Sequence, residues 1–140
     1  MADNFFEWLP VNKVKSSAGE LNIFEAKGLP GISFLRMYLI RISSMGSVRG
    51  SHAHRKTFQV LMCISGSAEV IFTDGNESET VLIDPESDAL SLRPMVWHTI
   101  KSTSEDCVMA VMADSFYDES DYIRDYEEFK NLIGIRKEAL

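Results

Sequence analysis

Gly46-Ser47-Val48-Arg49-Gly50-Ser51-His52-Ala53-His54-Arg55-Lys56-Thr57-Phe58-Gln59, running on to Gly66, is the stretch that decides the fold. It carries two of the three histidines in the chain, and in an extended segment their i, i+2 spacing turns both imidazoles to one face. The third, His98, ends the run Arg93-Pro94-Met95-Val96-Trp97-His98. Imidazole exchanges a proton near neutral pH and is also the commonest metal ligand, so these residues leave proton transfer and metal coordination both open.

Outward from this stretch the chain is punctuated like an all-β protein. Residues 8–15 and 20–26 are predicted as a hairpin around Ser16-Ser17-Ala18-Gly19, with apolar residues at about every second place. After the breaker Gly28-Leu29-Pro30-Gly31, residues 32–42 read as one long strand with Phe34, Arg36, Tyr38 and Ile40 on a common face. An Arg and a Tyr among apolar neighbours mark the wall of a cavity. A loop is expected over 43–50, then strands over 58–64, 68–73, 80–83, 89–92, 96–101 and 107–113, with turns at Ser65-Gly66-Ser67 and Asp74-Gly75-Asn76. Short strands at such spacing predict a sandwich or barrel. Only the end changes period, where Tyr122, Ile123, Tyr126, Phe129, Leu132 and Ile133 recur at helical spacing. This predicts a helix over 118–134, capped by Asp118 or Ser120, stopped by Gly134 and packed across the outside or mouth of the barrel. The expectation is one domain: hairpin 1–31, barrel 32–114, helix 118–134.

Composition bounds what such a domain does. At 140 residues and 45% hydrophobic the chain fills one core. It has no run of the roughly 18 to 20 apolar residues that a membrane span needs, and no signal-peptide pattern near its start, so a soluble, cytoplasmic protein is expected. Cys63 and Cys107 both lie in apolar strand segments, where a reduced thiol behaves as a small hydrophobe. The net charge of −7 argues against nucleic acid as a partner. Yet no carboxylate lies between Glu25 and Glu69, where Lys27, Arg36, Arg41, Arg49, Arg55 and Lys56 give +6 against −13 for the remainder. A cationic block around paired histidines suits an anionic small molecule, because guanidinium forks fit phosphate oxygens.

Gly46, five residues, His52-Ala53-His54, four residues, Gln59, six residues and Gly66 resembles the first cupin motif at every spacing, with Gln59 where metal-binding members carry Glu. His98 sits at the histidine position of the second motif, with Met95 where Gly is usual and Ser102 where Asn is usual. The implied fold is all-β, a single-domain cupin (double-stranded β-helix or jelly-roll barrel) with a C-terminal α-helix. Within the cupins, residues 49–56, the Pro94-Met95-Val96-Trp97-His98 run, Cys107-Val108-Met109 and residues 113–124 are similar to the nucleotide-sugar 3,4-ketoisomerases. The similarity runs from about residue 32 to 133. In the N-terminal hairpin Ser16-Ser17-Ala18-Gly19 replaces the Asp-x-Arg-Gly turn of that family.

The resemblance implies an enzyme acting on a dTDP-linked keto-deoxysugar, dTDP-4-keto-6-deoxyglucose, as a homodimer in the cytoplasm, on the way to a dTDP-3-amino-3,6-dideoxyhexose for lipopolysaccharide O-antigen. Moving a ketone from carbon 4 to carbon 3 takes a proton from carbon 3, passes through an enediol and returns a proton to carbon 4, so it needs acid/base groups and neither metal nor redox cofactor. His52 is the implied base, His54 its tautomer-holding or relaying neighbour, and Tyr38 a hydroxyl for a sugar oxygen. Arg36 and Arg49 are candidates for the diphosphate, Trp97 for stacking, and Gln59 and His98 for further substrate contacts. The alternatives are a metal-dependent cupin with His52, His54 and His98 as ligands, a sugar-sensing cupin without turnover, and a nucleotide-sugar epimerase.

Overall fold

The computed structural model describes residues 5–138, with side chains described for residues 5–134. Twelve strands form: β1 (Trp8–Leu9), β2 (Val11–Ser16), β3 (Gly19–Phe24), β4 (Arg36–Ile42), β5 (Val48–His54), β6 (Gln59–Ser65), β7 (Ala68–Thr73), β8 (Ser78–Ile83), β9 (Ala89–Leu92), β10 (Trp97–Ser102), β11 (Cys107–Ala113) and β12 (Tyr122–Ile123), followed by α1 (Tyr126–Glu138). Two five-stranded antiparallel sheets, ordered β1-β9-β6-β11-β4 and β12-β5-β10-β7-β8, face each other as the expected jelly roll, and β2-β3 stands out as a separate hairpin. No helix among the described residues is long and apolar enough to cross a membrane.

The alternation predicted from sequence produces the core directly. Cys107, Met109 and Val111 of β11 and Ala68, Val70 and Phe72 of β7 turn to one face of their strands and meet between the sheets, with Leu61, Leu90 and Ile100. Phe72 is fully buried and stacks on Phe6 at 5.0 Å between ring centroids, so truncating it to Ala would cost about 3–5 kcal/mol. The Ser65-Gly66-Ser67 turn admits only glycine at its centre. Gly66 has φ +76, and a Cβ there would lie 2.5 Å from Ser104 Oγ and 2.9 Å from Cys107 Cα.

Several boundaries differ from expectation, and the hairpin arm expected over 8–15 divides into β1, which pairs with β9, and β2, which pairs with β3. The strand expected over 32–42 begins at Arg36. The loop expected over 43–50 ends early, because Val48 and Arg49 pair with Lys101 and Ile100 in β10. The helix starts at Tyr126 rather than near residue 118 and runs through Gly134 to Glu138. Asp118 instead caps a 3-10 turn over Glu119–Asp121, accepting from Ser120 N, after which Tyr122 and Ile123 pair with His54 and Ala53 of β5. The helix has its own cap: Asp125 Oδ1 accepts from Glu128 N at 3.1 Å. Its apolar stripe covers the outside of the second sheet, where Phe129 packs fully buried against Ala53, Trp97 and Ile123.

This architecture leaves the barrel open along one side. β4 is the last strand of its sheet, and β12 covers only the Ala53–His54 end of β5. The rest of β5 faces the β4 edge with no strand between them among the described residues, and a cavity of about 570 Å³ lies in that gap.

Candidate active site

The cavity is walled by Tyr38 and Ile40 of β4, Arg49 and His52 of β5, His98 of β10 and Tyr122 of β12, with Arg124 at its edge. Strand alternation sends His52 and His54 inward while Ala53 goes outward beneath the helix. Tyr122 pairs with His54 and so turns inward too. The register slips between His98 and Ile100, so that Arg49 is opposite Ile100. Gly50, with φ +87, supplies the bulge, and a Cβ on it would sit 3.5 Å from His98 Cδ2. Without that extra residue Arg49, three places from His52, would point away; with it, Arg49 shares the face of inward-pointing Ile100 and reaches the cavity wall.

The three imidazoles cluster. The His52 ring lies 5.0 Å from His54 and 4.9 Å from His98, both edge-on, while His54 and His98 lie parallel at 6.2 Å. Tyr122 closes the group at 5.0 Å from His52 and 4.4 Å from His54. Burial and the neighbouring rings push the His52 imidazole down to about 3 and His98 to about 4. Burial also lowers His54, partly offset by Asp121. All three are therefore neutral at neutral pH, and neutral imidazole is a base.

Asp121 fixes the state of one of them. Its Oδ2 lies 3.0 Å from His54 Nδ1 and accepts from the Thr57 hydroxyl, while Oδ1 accepts from Lys56 N at 2.8 Å. Burial raises the Asp121 carboxyl, but the hydrogen bonds from Thr57, His54 and Lys56 outweigh it and hold the group below its ordinary value. A carboxylate only accepts, so His54 carries its proton on Nδ1 and keeps a lone pair on Nε2, which is buried without a hydrogen-bond partner.

Tyr38 and His98 line the cavity with His52 and Arg49, but four other candidates do not: His54 is buried with its ring 5.0 Å from that of His52, and Trp97, Gln59 and Arg36 are placed elsewhere. Trp97 is adjacent to His98 and so faces the other side of the sheet, 5.1 Å from Tyr126 and 5.6 Å from Phe129, where it anchors the helix. Gln59 is fully buried behind Tyr38, to whose Oη its Nε2 donates at 2.8 Å. Arg36 shares the inner face of Tyr38, with its guanidinium 5.5 Å from the Tyr38 ring and 5.7 Å from the Tyr117 ring, outside the cavity lining. Arg124, which the sequence shows within the family-like block 113–124 but to which no site role was given, takes the rim position. Its guanidinium lies 4.4 Å over Tyr122 and binds both oxygens of Glu119, at 2.8 and 3.1 Å. Asp121, Tyr122 and Arg124 were given no site role because their segment reads as helix; their place in the family-like block 113–124 and the Asp118-x-Ser120 turn were the available signs.

Among the described residues no three His, Cys, Asp or Glu side chains are arranged to hold a metal ion. His54 Nδ1 is committed to Asp121, and the residue at the usual carboxylate position is an amide turned to Tyr38.

Known proteins share this fold. A curated relative, the TDP-4-oxo-6-deoxy-alpha-D-glucose-3,4-oxoisomerase of Aneurinibacillus thermoaerophilus, is 43% identical over 123 residues, covering 87% of this chain and 88% of the relative. The crystal structure of QdtA, a sugar 3,4-ketoisomerase from Thermoanaerobacterium thermosaccharolyticum in complex with TDP, superposes with a TM-score of 0.86 at 28% identity, covering 94% of this chain and 96% of QdtA. A histidine-to-asparagine variant of QdtA has been solved in complex with TDP-4-keto-6-deoxyglucose. The WlaRB TDP-quinovose 3,4-ketoisomerase of Campylobacter jejuni matches with a TM-score of 0.81 at 31% identity, covering 90% of this chain and 97% of WlaRB. Residues 5–134 match the family model described as FdtA: WxcM-like, C-terminal, and the chain belongs to that family.

Proposed function

We propose that this protein is a dTDP-4-keto-6-deoxyglucose 3,4-ketoisomerase that runs on uncharged histidine. The observation that carries the proposal is the cluster of neutral imidazoles on a cavity edged by two arginines. In this reading the diphosphate lies against Arg49 and Arg124, with Arg124 supported by Glu119, and the sugar reaches inward to His52. His52 takes the proton from carbon 3, exchanges it with solvent while the enediol stands, and delivers a solvent-derived proton to carbon 4. His54, its proton held on Nδ1 by Asp121, offers a lone pair on Nε2 that fixes the His52 ring or relays its proton. The 3-keto product has an electrophilic carbonyl where an amino group is installed by transamination, so the reaction stands before a dTDP-3-amino-3,6-dideoxyhexose for surface polysaccharide such as O-antigen, in the cytoplasm.

The same reading includes a homodimer. The outer face of the first sheet presents Leu35, Met37, Leu39 and Ile64, each more than half exposed, beside Ala110 and Met112 of β11. A contiguous apolar sheet face of this kind is covered in stable proteins, and a second copy covers it symmetrically. Light scattering at micromolar concentration giving the mass of one chain would count against the dimer.

The activity is tested by incubating the protein with dTDP-4-keto-6-deoxyglucose in deuterated water and recording proton NMR of the product after trapping with a 3-aminotransferase. Deuterium at carbon 4 with the amine at carbon 3 is expected. Inversion with the ketone still at carbon 4 would make the protein an epimerase, and binding without turnover would make it a sensor.

A further inference from the structure

Gln59 is the buried polar side chain that proton transfer by His52 leaves without a purpose. It is 0% exposed, its Oε1 is buried with no partner, and its one resolved hydrogen bond runs from Nε2 to Tyr38 Oη at 2.8 Å. An amide held with its oxygen unsatisfied is less stable than an apolar side chain of the same volume, so what the position requires is the N–H. An amide nitrogen only donates, which makes Tyr38 Oη the acceptor and leaves the phenol proton to point elsewhere. Beside the ring stands the Arg36 guanidinium, 5.5 Å from its centroid, which has no lone pair to receive that proton. Tyr38 itself lines the cavity. The phenol proton is thus available to whatever the cavity holds.

Isomerisation needs such a proton. Exchanging a 4-ketone for a 3-ketone moves one hydrogen from carbon 3 to carbon 4 and a second from O3 to O4, and one base on the carbon edge does not serve both. Resting on the ketoisomerase reading, in which the Tyr38 hydroxyl meets a sugar oxygen, we propose that Gln59 is the positioning residue that holds the Tyr38 phenol proton towards that oxygen. As the C3–H bond breaks towards His52, the Tyr38 O–H proton passes to O4 and the enediol forms. The O3–H proton then returns to the Tyr38 phenolate as the proton on His52 forms the new C4–H bond. Both side chains end as they began. The transient phenolate accepts from Gln59 Nε2 and lies beside the Arg36 charge, which gives a function to two residues that do not line the cavity. Burial raises the Tyr38 phenol to about 12, against the opposing effect of Gln59 and Arg36, so it enters the reaction protonated. A carboxylate at position 59 would reverse the hydrogen bond, accept the phenol proton and turn it away from the sugar.

The test is the pH profile of full-length Gln59→Glu beside Gln59→Met and wild type, with dTDP binding measured by calorimetry. The introduced carboxyl group donates to Tyr38 when protonated, as the amide does, and accepts when ionised. Turnover of Gln59→Glu should approach wild type at low pH and fall about 100-fold through an ionisation absent from wild type, the size of one acid/base contribution. Gln59→Met should lose about 10- to 100-fold in kcat at every pH with dTDP affinity unchanged. A Gln59→Glu profile parallel to wild type overturns the proposal, even if Gln59→Met is slow, because a merely structural amide behaves that way. If Gln59→Glu does not fold, Gln59→Met at the wild-type rate overturns it equally. Failure of the wild type to move the ketone would refute the ketoisomerase reading instead.

Discussion

Replacing Asp121 by Asn changes one atom and should invert a histidine. Three groups converge on this carboxylate and all of them donate: Lys56 N to Oδ1, and the Thr57 hydroxyl and His54 Nδ1 to Oδ2. A backbone N–H has no alternative role, so the amide oxygen of Asn must stay on Lys56, which puts Nδ2 in the place of Oδ2. There it donates towards His54 Nδ1 and drives the proton to Nε2, a buried atom with no protein acceptor. An unsatisfied buried donor costs about 1–3 kcal/mol. At 1.36 kcal/mol per decade this is about 5- to 150-fold in rate, before the loss of the negative charge that supports His54 when it takes a proton. Asp121→Asn should therefore lose about 100-fold or more in kcat, while dTDP affinity, set at the distant rim, is unchanged. Nitrogen-15 NMR of the ring shows the tautomer directly. A variant with its proton still on Nδ1, or with wild-type kcat, would refute the role given to Asp121.

His52→Asn should lose about 100- to 10,000-fold in kcat, retain dTDP binding and place no deuterium at carbon 4, and His54→Asn should lose less; NMR of product formed in deuterated water checks both. Arg49→Ala and Arg124→Ala should each weaken dTDP binding by about 1.5–3 kcal/mol in calorimetry, and unchanged affinity would remove that residue from the site. Acid should destabilise the fold by way of the buried imidazoles. Folded His98 binds its proton at about 4 against the 6.5 of the open chain, so the unfolded state takes up protons first, and stability present above pH 6.5 is lost as pH falls towards 4, by ~3 kcal/mol from His98 alone. Urea midpoints measured at pH 7 and 4 test this, and His98→Gln should flatten the dependence.

The barrel was legible because its strands keep period two with glycine and aspartate turns between them; the strands expected over 89–92 and 107–113 match β9 and β11 at both ends. The site was legible at Tyr38 and His98, which line the cavity, and along β5, where His52 and His54 show their common face by spacing alone. Arg49 lies an odd number of residues from His52 and enters the cavity because of the Gly50 bulge, which no alternation pattern reveals. Trp97 was misplaced for the opposite reason: its neighbour His98 faces inward, so regular alternation had to send it outward. Asp121 acts across 67 residues of sequence on His54, and its spacing from Tyr122 and Ile123 fits a helix as readily as the short strand that brings it there. Gln59 shows a motif position in sequence, and only the fold shows the phenol to which it donates.

A base held at about 3 is well placed to be unprotonated and poorly placed to take a proton from carbon, since a general base works best with a pKa near the operating pH. Burial and two imidazole neighbours set this value, and Arg124 repels the His52 cation further. A bound diphosphate reverses part of this. Each negative charge at roughly 7 Å, through an effective dielectric of about 20, favours imidazolium by ~2.4 kcal/mol, or about 1.7 pK units. Saturation with dTDP should therefore raise the His52 pKa from about 3 to the range of about 5 to 6, with Arg49 and Arg124 offsetting part of the gain. The acid limb of kcat should accordingly lie above that of kcat/KM, and NMR titration of His52 with and without dTDP should show the same displacement. Substrate binding would then make its own base competent, coupling the anionic handle to the chemistry at the sugar. A His52 pKa that stays put or falls on dTDP binding would break that coupling and move the search for the base elsewhere in the cluster.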